Sequence, residues 1–214
     1  MWRSCILDRA IHIRGMTEAR SQSSVSIAKA PGPGRPRSFD EATALEAAMN
    51  VFWQKGYEAT SLDDLTRAMG LSRSSFYGAF DSKQALFIRA LEHYSRNGLR
   101  GLREVAGTAQ DNPVDAMMLA LSDPEGSPKG CLLINCITEL APHDDKVAEI
   151  GRRHLEAIEE IFAAALNPGN PDSVRDAARA YASLAIGTLT LRKSGISADR
   201  IQETLKQAKT ILTG

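Results

Sequence analysis

Arg73, Ser74, Ser75, Tyr77 and Gly78 crowd into one short stretch of the chain. Their types suit contact with a nucleic acid rather than bond-making chemistry. The arginine fork matches the O6 and N7 acceptors of guanine in the major groove. Serine hydroxyls can bond to bases or to phosphates, and a tyrosine hydroxyl donates from the end of a rigid ring. Gly78 costs about 1 kcal/mol against Ala in a helix interior, and the missing side chain would let backbone approach a base or a thymine methyl. Thr60, Ser61 and Lys83 flank the stretch and offer two hydroxyls and an ammonium to the phosphate backbone. Upstream, Arg35-Pro36-Arg37 combines an extended proline with two guanidinium groups, which favours a narrow, electronegative minor groove. The second chemical candidate is Cys131. It stands at an expected helix N-terminus near Lys129, a setting that lowers a thiol pKa and favours the thiolate; Cys131 and Cys136 read equally as small core residues.

The elements that must position these groups can be read from spacing. Ala42, Leu45, Ala48, Met49 and Phe52 recur at three and four, predicting a helix from Phe39 to Lys55 ended by Gly56. Ser61 followed by Asp64 is a capping-box pattern, and Leu62, Leu65 and Met69 share a face behind it. Gly70 suits the left-handed residue that closes a helix, and Leu71 would plug the corner. Ser72 then caps a second short helix whose Phe76 and Phe80 turn inward. Two short helices with this turn form a helix-turn-helix, the second exposing Arg73, Ser74, Ser75, Tyr77 and Gly78.

Asp81 as cap and Gln84 at the capping-box position predict a fourth, long helix towards Arg103. Further helices are predicted over Val114–Leu121, Cys131–Leu140, Asp144–Leu166, Asp172–Lys193 and Ser197–Leu212. The fold class is therefore all-α, with about nine helices. A three-helix N-terminal part (34–82) precedes a larger helical part (83–214). Residues 1–33, which hold Met16 as a second candidate start, read as a disordered basic arm ending in Pro-Gly-Pro-Gly.

Composition narrows the function classes. Hydrophobic residues make up 43% of 214 residues, a globular share, but aromatics only 6%. The net charge is zero. It is unevenly spread: residues 1–38 carry seven Lys/Arg against two Asp/Glu, while 101–214 carry twelve against sixteen. A basic arm beside a helix-turn-helix is an electrostatic footprint for DNA. No apolar run approaches the roughly 20 residues of a membrane span. The opening residues lack the apolar block of a signal peptide, so a cytoplasmic location is expected, nucleoid-associated when bound to DNA. Three scattered cysteines form neither a disulfide framework nor a metal motif, and neither a cofactor nor a metal is expected.

Gly34-Arg-Pro-Arg-Ser-Phe-Asp40, Ala47-Ala-Met-Asn-Val-Phe-Trp-Gln-Lys-Gly-Tyr-Glu-Ala-Thr-Ser61 and Phe76-Tyr-Gly-Ala-Phe-Asp-Ser-Lys-Gln-Ala-Leu-Phe87 together resemble the N-terminal domain of the TetR family of bacterial transcriptional regulators, continuously from about Gly34 to Leu91. The resemblance implies a homodimer that binds double-stranded operator DNA through its N-terminal domain and is released by a small effector bound in its C-terminal domain. It also implies phosphate contacts for Tyr77, Lys83, Thr60 and Ser61. Family members often carry a larger side chain where this chain has Gly78. Gly130-Cys-Leu-Leu-Ile-Asn135 with Glu139-Leu140 resembles a segment of one family branch, some of whose members sense electrophiles or oxidants through the position of Cys131.

In the C-terminal part, Met117, Met118, Leu121, Leu133, Ile137, Ile150, Leu155, Ile158 and Phe162 are candidate pocket walls, with Cys131, Asn135, Glu139, His143 and His154 as polar candidates. A dimer face is expected from Leu184, Gly187 and Leu191 together with Ile201, Leu205, Ala208 and Leu212. Small neighbours (Ala182, Ser183, Ala185, Thr188) would allow close approach in a four-helix bundle. A transcriptional activator stays open at this stage; Tyr77 and Lys83 argue against a mere helical interaction domain, and no enzyme is expected, the remote candidate being one that uses Cys131 with His143 or His154. The last has no nucleophile elbow or oxyanion loop behind it.

Overall fold

The computed structural model describes residues 40–213, apart from 110, 125, 127 and 128, with the backbone alone for 211–213. Arg35, Arg37 and the basic arm lie outside the described residues. Nine α-helices occur among the described residues: α1 Glu41–Lys55, α2 Leu62–Met69, α3 Arg73–Phe80, α4 Lys83–Thr108, α5 Pro113–Ser122, α6 Leu132–Leu140, α7 Asp145–Leu166, α8 Arg175–Lys193 and α9 Ala198–Thr213, with a single 3₁₀ turn at Pro171–Val174. The described residues hold no strand, which agrees with the all-α expectation. No helix among them is long and apolar enough to cross a membrane.

The expected helix signals are present as atoms. Asp40 caps α1, accepting from Ala42 N at 3.1 Å. Ser61 Oγ accepts from Asp64 N at 3.1 Å while Asp64 Oδ2 accepts from Ser61 N at 3.0 Å, completing the capping box of α2. Gly70 adopts φ +65°. Its N–H reaches Arg67 O, and the N–H of Leu71 reaches Thr66 O at 2.9 Å, so the last carbonyls of α2 are satisfied in a Schellman turn. Leu71 packs against the core. One cap differs from expectation. Ser82, not Asp81, caps α4, accepting from Ala85 N at 3.0 Å. Asp81 itself turns the chain at φ +58°. Gln84 donates across to Asp144 at 3.3 Å rather than completing a capping box.

Two hydrophobic cores share the molecule. The first joins α1, α2, α3 and the first half of α4 to α6 and the start of α7. At its centre, Phe52 meets Phe87 edge-on at 5.0 Å, and Phe76 lies 5.9 Å from Phe80. The second core gathers Leu102 and Val105 of α4, α5, the second half of α7, and α8. The α4 helix, 26 residues and about 39 Å long, runs through both. Packing therefore continues across residue 82 instead of stopping there.

Phe76 has no exposed surface. Phe76→Ala should cost about 3–5 kcal/mol of stability, measurable by urea denaturation. A loss under about 1 kcal/mol would show that α3 does not depend on this ring.

Candidate functional site

The α3 helix presents a fully exposed face. Ser72, Arg73, Ser74, Ser75, Tyr77 and Gly78 are all solvent-facing, with Tyr77 53% exposed, while Phe76 and Phe80 point inward. A Cβ built on Gly78 would meet nothing within 4 Å, so internal packing does not demand the glycine. Ser72 Oγ caps α3 at Ser75 N (3.1 Å) and lies within hydrogen-bond distance of Ser74 and Ser75 hydroxyls. Arg73 is tied back to Asp63 of α2, its Nη2 2.8 Å from Oδ1, with both side chains largely in solvent. Exposed ion pairs of this kind are weak and break readily when a stronger partner arrives.

The flanking residues divide. Ser61 is exposed. Asp64, beside it, is held well below the usual carboxylate range, first by Lys55 at 2.7 Å and then by Ser61. Thr60 corrects the expectation from sequence: it is buried, and its hydroxyl donates inward to Gly56 O at 2.6 Å, so that hydroxyl is not a surface group. Lys83 Nζ donates to Thr60 O at 2.8 Å and stands 4.4 Å from the Tyr57 ring centroid. It thus sits at the α4 N-terminus beside the loop that leads into α2. Arg89, absent from the sequence candidates, joins three helices. It donates to Ala79 O at 3.2 Å, pairs with Glu41, and lies over the Phe80 ring at 4.9 Å.

A second site lies at the seam of the two cores. A cavity of about 340 Å³ is bordered by α1, α4, residues 120–123 and 129–131, α7 and α8. Of the expected pocket residues, Leu121, Cys131, His154 and Ile158 line it. Met117, Met118 and Phe162 do not; they fill the second core, Phe162 stacking on Tyr181 at 6.0 Å. Leu133 and Ile150 belong to the first core. Asn135 instead ties Lys129 O (2.9 Å) to Lys193 Nζ (2.9 Å), and Glu139 is exposed near Gly56.

Sequence reasoning missed the whole face contributed by α1, along with Tyr94, Leu99 and Leu102 of α4 and Leu189 and Arg192 of α8. Glu46, Met49, Asn50 and Trp53 line the cavity, and their i, i+3, i+4, i+7 spacing could have revealed a second helix face. Trp53 Nε1 and Arg192 Nε are both buried with no hydrogen-bond partner among the described residues. Such a donor left unmet costs about 1–3 kcal/mol.

Cys131 is also corrected. Tyr94 OH donates to its Sγ at 3.4 Å and accepts from Leu132 N at 3.3 Å, capping α6 in place of the cysteine side chain. Burial pushes the Cys131 thiol up, outweighing the hydrogen bonds and the Arg192 charge that favour its thiolate. Cys136 is pushed up to about 12 by burial, with the charges of Cys131 and Glu139 adding to it. Cys131 is therefore not the activated thiolate that its helix position suggested. No cluster of side chains suited to a metal ion occurs among the described residues.

On the expected dimer face, Ile201 is fully buried within its own chain, and Leu184 and Leu205 pack against the second core. Gly187 and Leu191 stay exposed, one turn apart on α8; Ala208 is half-buried. The side chain of Leu212 lies outside the described residues. Of the small neighbours, Ser183 is exposed, whereas Ala182, Ala185 and Thr188 face inward.

Residues 44–90 match the sequence profile of bacterial regulatory proteins of the tetR family. The transcriptional regulator YezE of Bacillus subtilis is 34% identical over 135 residues, covering 60% of this chain and 69% of YezE. The transcriptional repressor BdcR of Escherichia coli is 27% identical over 191 residues, covering 84% and 94%. The structure is similar to that of a cysteine mutant of the TetR-family regulator CifR in complex with a 26-base-pair operator: TM-score 0.70, 29% identity, 82% of this chain and 97% of that one. The chain belongs to the TetR family of transcriptional regulators.

Burial brings His154 down to about 4 from its ordinary 6.5, and its Nδ1 lies 2.9 Å from Ser95 Oγ. Unfolding frees the ring to take a proton near 6.5. The neutral ring's contribution is complete above 6.5 and is lost as pH falls towards 4, on the order of 3 kcal/mol in all. His154→Gln should flatten the fall in denaturation free energy between pH 6.5 and 4.5. Parallel curves for the two proteins would show that His154 does not carry it.

Proposed function

We propose that this chain represses transcription by binding a palindromic DNA operator as a homodimer and releases it when a small molecule enters the cavity. The outward face of α3 carries the reading: a short helix is held from behind by Phe76 and Phe80 while its polar side is fully open. Arg73 leaves Asp63 to read a base, Ser74 and Ser75 bond bases or phosphates, and Gly78 admits close approach. Tyr77, Lys83 and Ser61 hold phosphates, aided by the N-termini of α2 and α4. For Thr60, the buried hydroxyl leaves only its backbone position beside Lys83. Arg35 and Arg37 enter the adjacent minor groove. Residues 34–82 form the reading head, and 83–214 bind effector and partner. A repressor among the relatives and the operator complex of CifR support this assignment.

Two reading heads are needed for a unique address, so half-site centres lie about 34 Å apart or somewhat more. Exposed Gly187 and Leu191 of α8, with Ala208 of α9, supply the partner face. Effector and DNA are coupled through α1. One face lines the cavity, and Lys55 at its end holds Asp64, the capping acid of α2.

Selection of genomic fragments by the purified protein should enrich a symmetric site; no enriched duplex at low salt removes the proposal. Tyr77→Phe with Lys83→Ala should weaken binding to all sequences alike. It should also flatten the log–log salt slope by about 0.9 for each phosphate that is no longer neutralised; an unchanged slope would exclude those phosphate roles. Arg73→Ala should instead relax preference at one position of each half-site, on the order of tenfold. A preserved sequence logo would mean Arg73 reads no base.

A further inference from the structure

We infer that Tyr57 and Thr60 are positioning residues for the phosphate contact of Lys83: together they seat its ammonium before DNA arrives. Lys83 is the first residue of α4. Its Nζ donates to Thr60 O at 2.8 Å and stands 4.4 Å from the centroid of the Tyr57 ring. A lysine ammonium has three N–H donors, so at least one is left over once the carbonyl and the ring face are met. Both partners are uncharged, and the full positive charge stays available to a phosphate. Arg73 is the contrast, because its partner Asp63 is a carboxylate that binding must displace.

The seat is built from the turn between α1 and α2. Thr60 closes that turn twice: its hydroxyl donates to Gly56 O at 2.6 Å, and its N–H donates to Tyr57 O at 3.3 Å. With those donors spent inside the turn, Thr60 presents its carbonyl to Lys83. Thr60 is 1% exposed, so its hydroxyl acts through the turn and not on DNA. The Tyr57 ring is fixed in its place by Phe87 at 4.6 Å and Phe52 at 6.2 Å. The gain for binding is entropic. A lysine side chain is long and flexible, and pinning it costs much of its rotamer freedom. An ammonium that the fold has already pinned meets a phosphate without that loss on binding. Removing the ring frees the side chain but leaves its charge.

The inference rests on the phosphate role proposed above for Lys83. Fluorescence anisotropy with a labelled duplex of scrambled sequence reads that role without knowledge of the operator. Tyr57→Leu should weaken binding about threefold for each reading head, about tenfold for a dimer, which lies within the range of a cation–ring contact. Tyr57→Phe keeps the ring and should bind as the unaltered protein does. Thr60→Val should weaken binding by a similar factor, and Thr60→Ser should restore it. In the Lys83→Ala background none of these changes should alter the affinity. Equal losses with and without Lys83 overturn the inference, because Tyr57 and Thr60 would then act through stability alone; unchanged binding by Tyr57→Leu overturns it too. In the unaltered full-length protein, the ring should shift the ε-methylene proton resonance of Lys83 upfield, assigned by its loss in Lys83→Ala. That shift should persist when the scrambled duplex is added, a measurement that does not depend on how the Tyr57 and Thr60 variants fold. A shift absent from the free protein, or one that vanishes on adding DNA, overturns the inference and leaves the phosphate role standing. Lys83→Ala binding the duplex as tightly as the unaltered protein would instead remove the phosphate role, and this inference with it.

Discussion

Burial of a small aromatic cluster is the constraint from which the rest of the N-terminal structure follows. An eight-residue helix does not persist alone in water, because nucleation costs more than so few hydrogen bonds return. The α3 helix exists because Phe76 and Phe80 are sealed against the ring set that includes Phe52 and Phe87. Sealing that side fixes the rotation of the helix. Arg73, Ser74, Ser75, Tyr77 and Gly78 then face outward, with Arg73 paired to Asp63 and the serine hydroxyls beside Ser72. Arg89 adds direction, tying the end of α3 to the start of α1. The orientation of this polar face thus depends on rings that are almost wholly sealed from solvent.

The α1 helix carries a second constraint, because it belongs to two environments at once. Ala44, Leu45, Ala48 and Phe52 face the first core, while Glu46, Asn50 and Trp53 border the cavity. A molecule entering the seam would therefore press on the helix that also anchors α2 through Lys55 and Asp64. Tyr94 ties this region together: it caps α6, engages Cys131 and packs edge-on against Trp53.

The cysteine pair illustrates how position and environment can oppose each other. A helix N-terminus and a nearby lysine lower a thiol pKa, and Cys131 does stand at the start of α6. Burial nonetheless wins, because removing the thiolate from water costs more than the Tyr94 hydrogen bond, the N–H groups of Ile134 and Leu133 and the Arg192 charge return.

Much of the fold was legible in local chemistry. The capping box of Ser61 and Asp64, the left-handed Gly70, and the Phe76/Phe80 stripe are interactions within a few residues, so spacing alone identifies them. The helix-turn-helix and its exposed face follow from the same local rules. Spacing could not tell which side of Thr60 faces solvent, nor that Asp81 would turn the chain and leave capping to Ser82. It could not separate Met117, Met118 and Phe162, which fill a core, from Leu121 and His154, which border a cavity. Apolar residues look alike until the elements opposite them are known. Hydrogen bonds to near neighbours are written in the order of residues; burial and unmet donors such as Trp53 Nε1 and Arg192 Nε arise only when distant helices close around them.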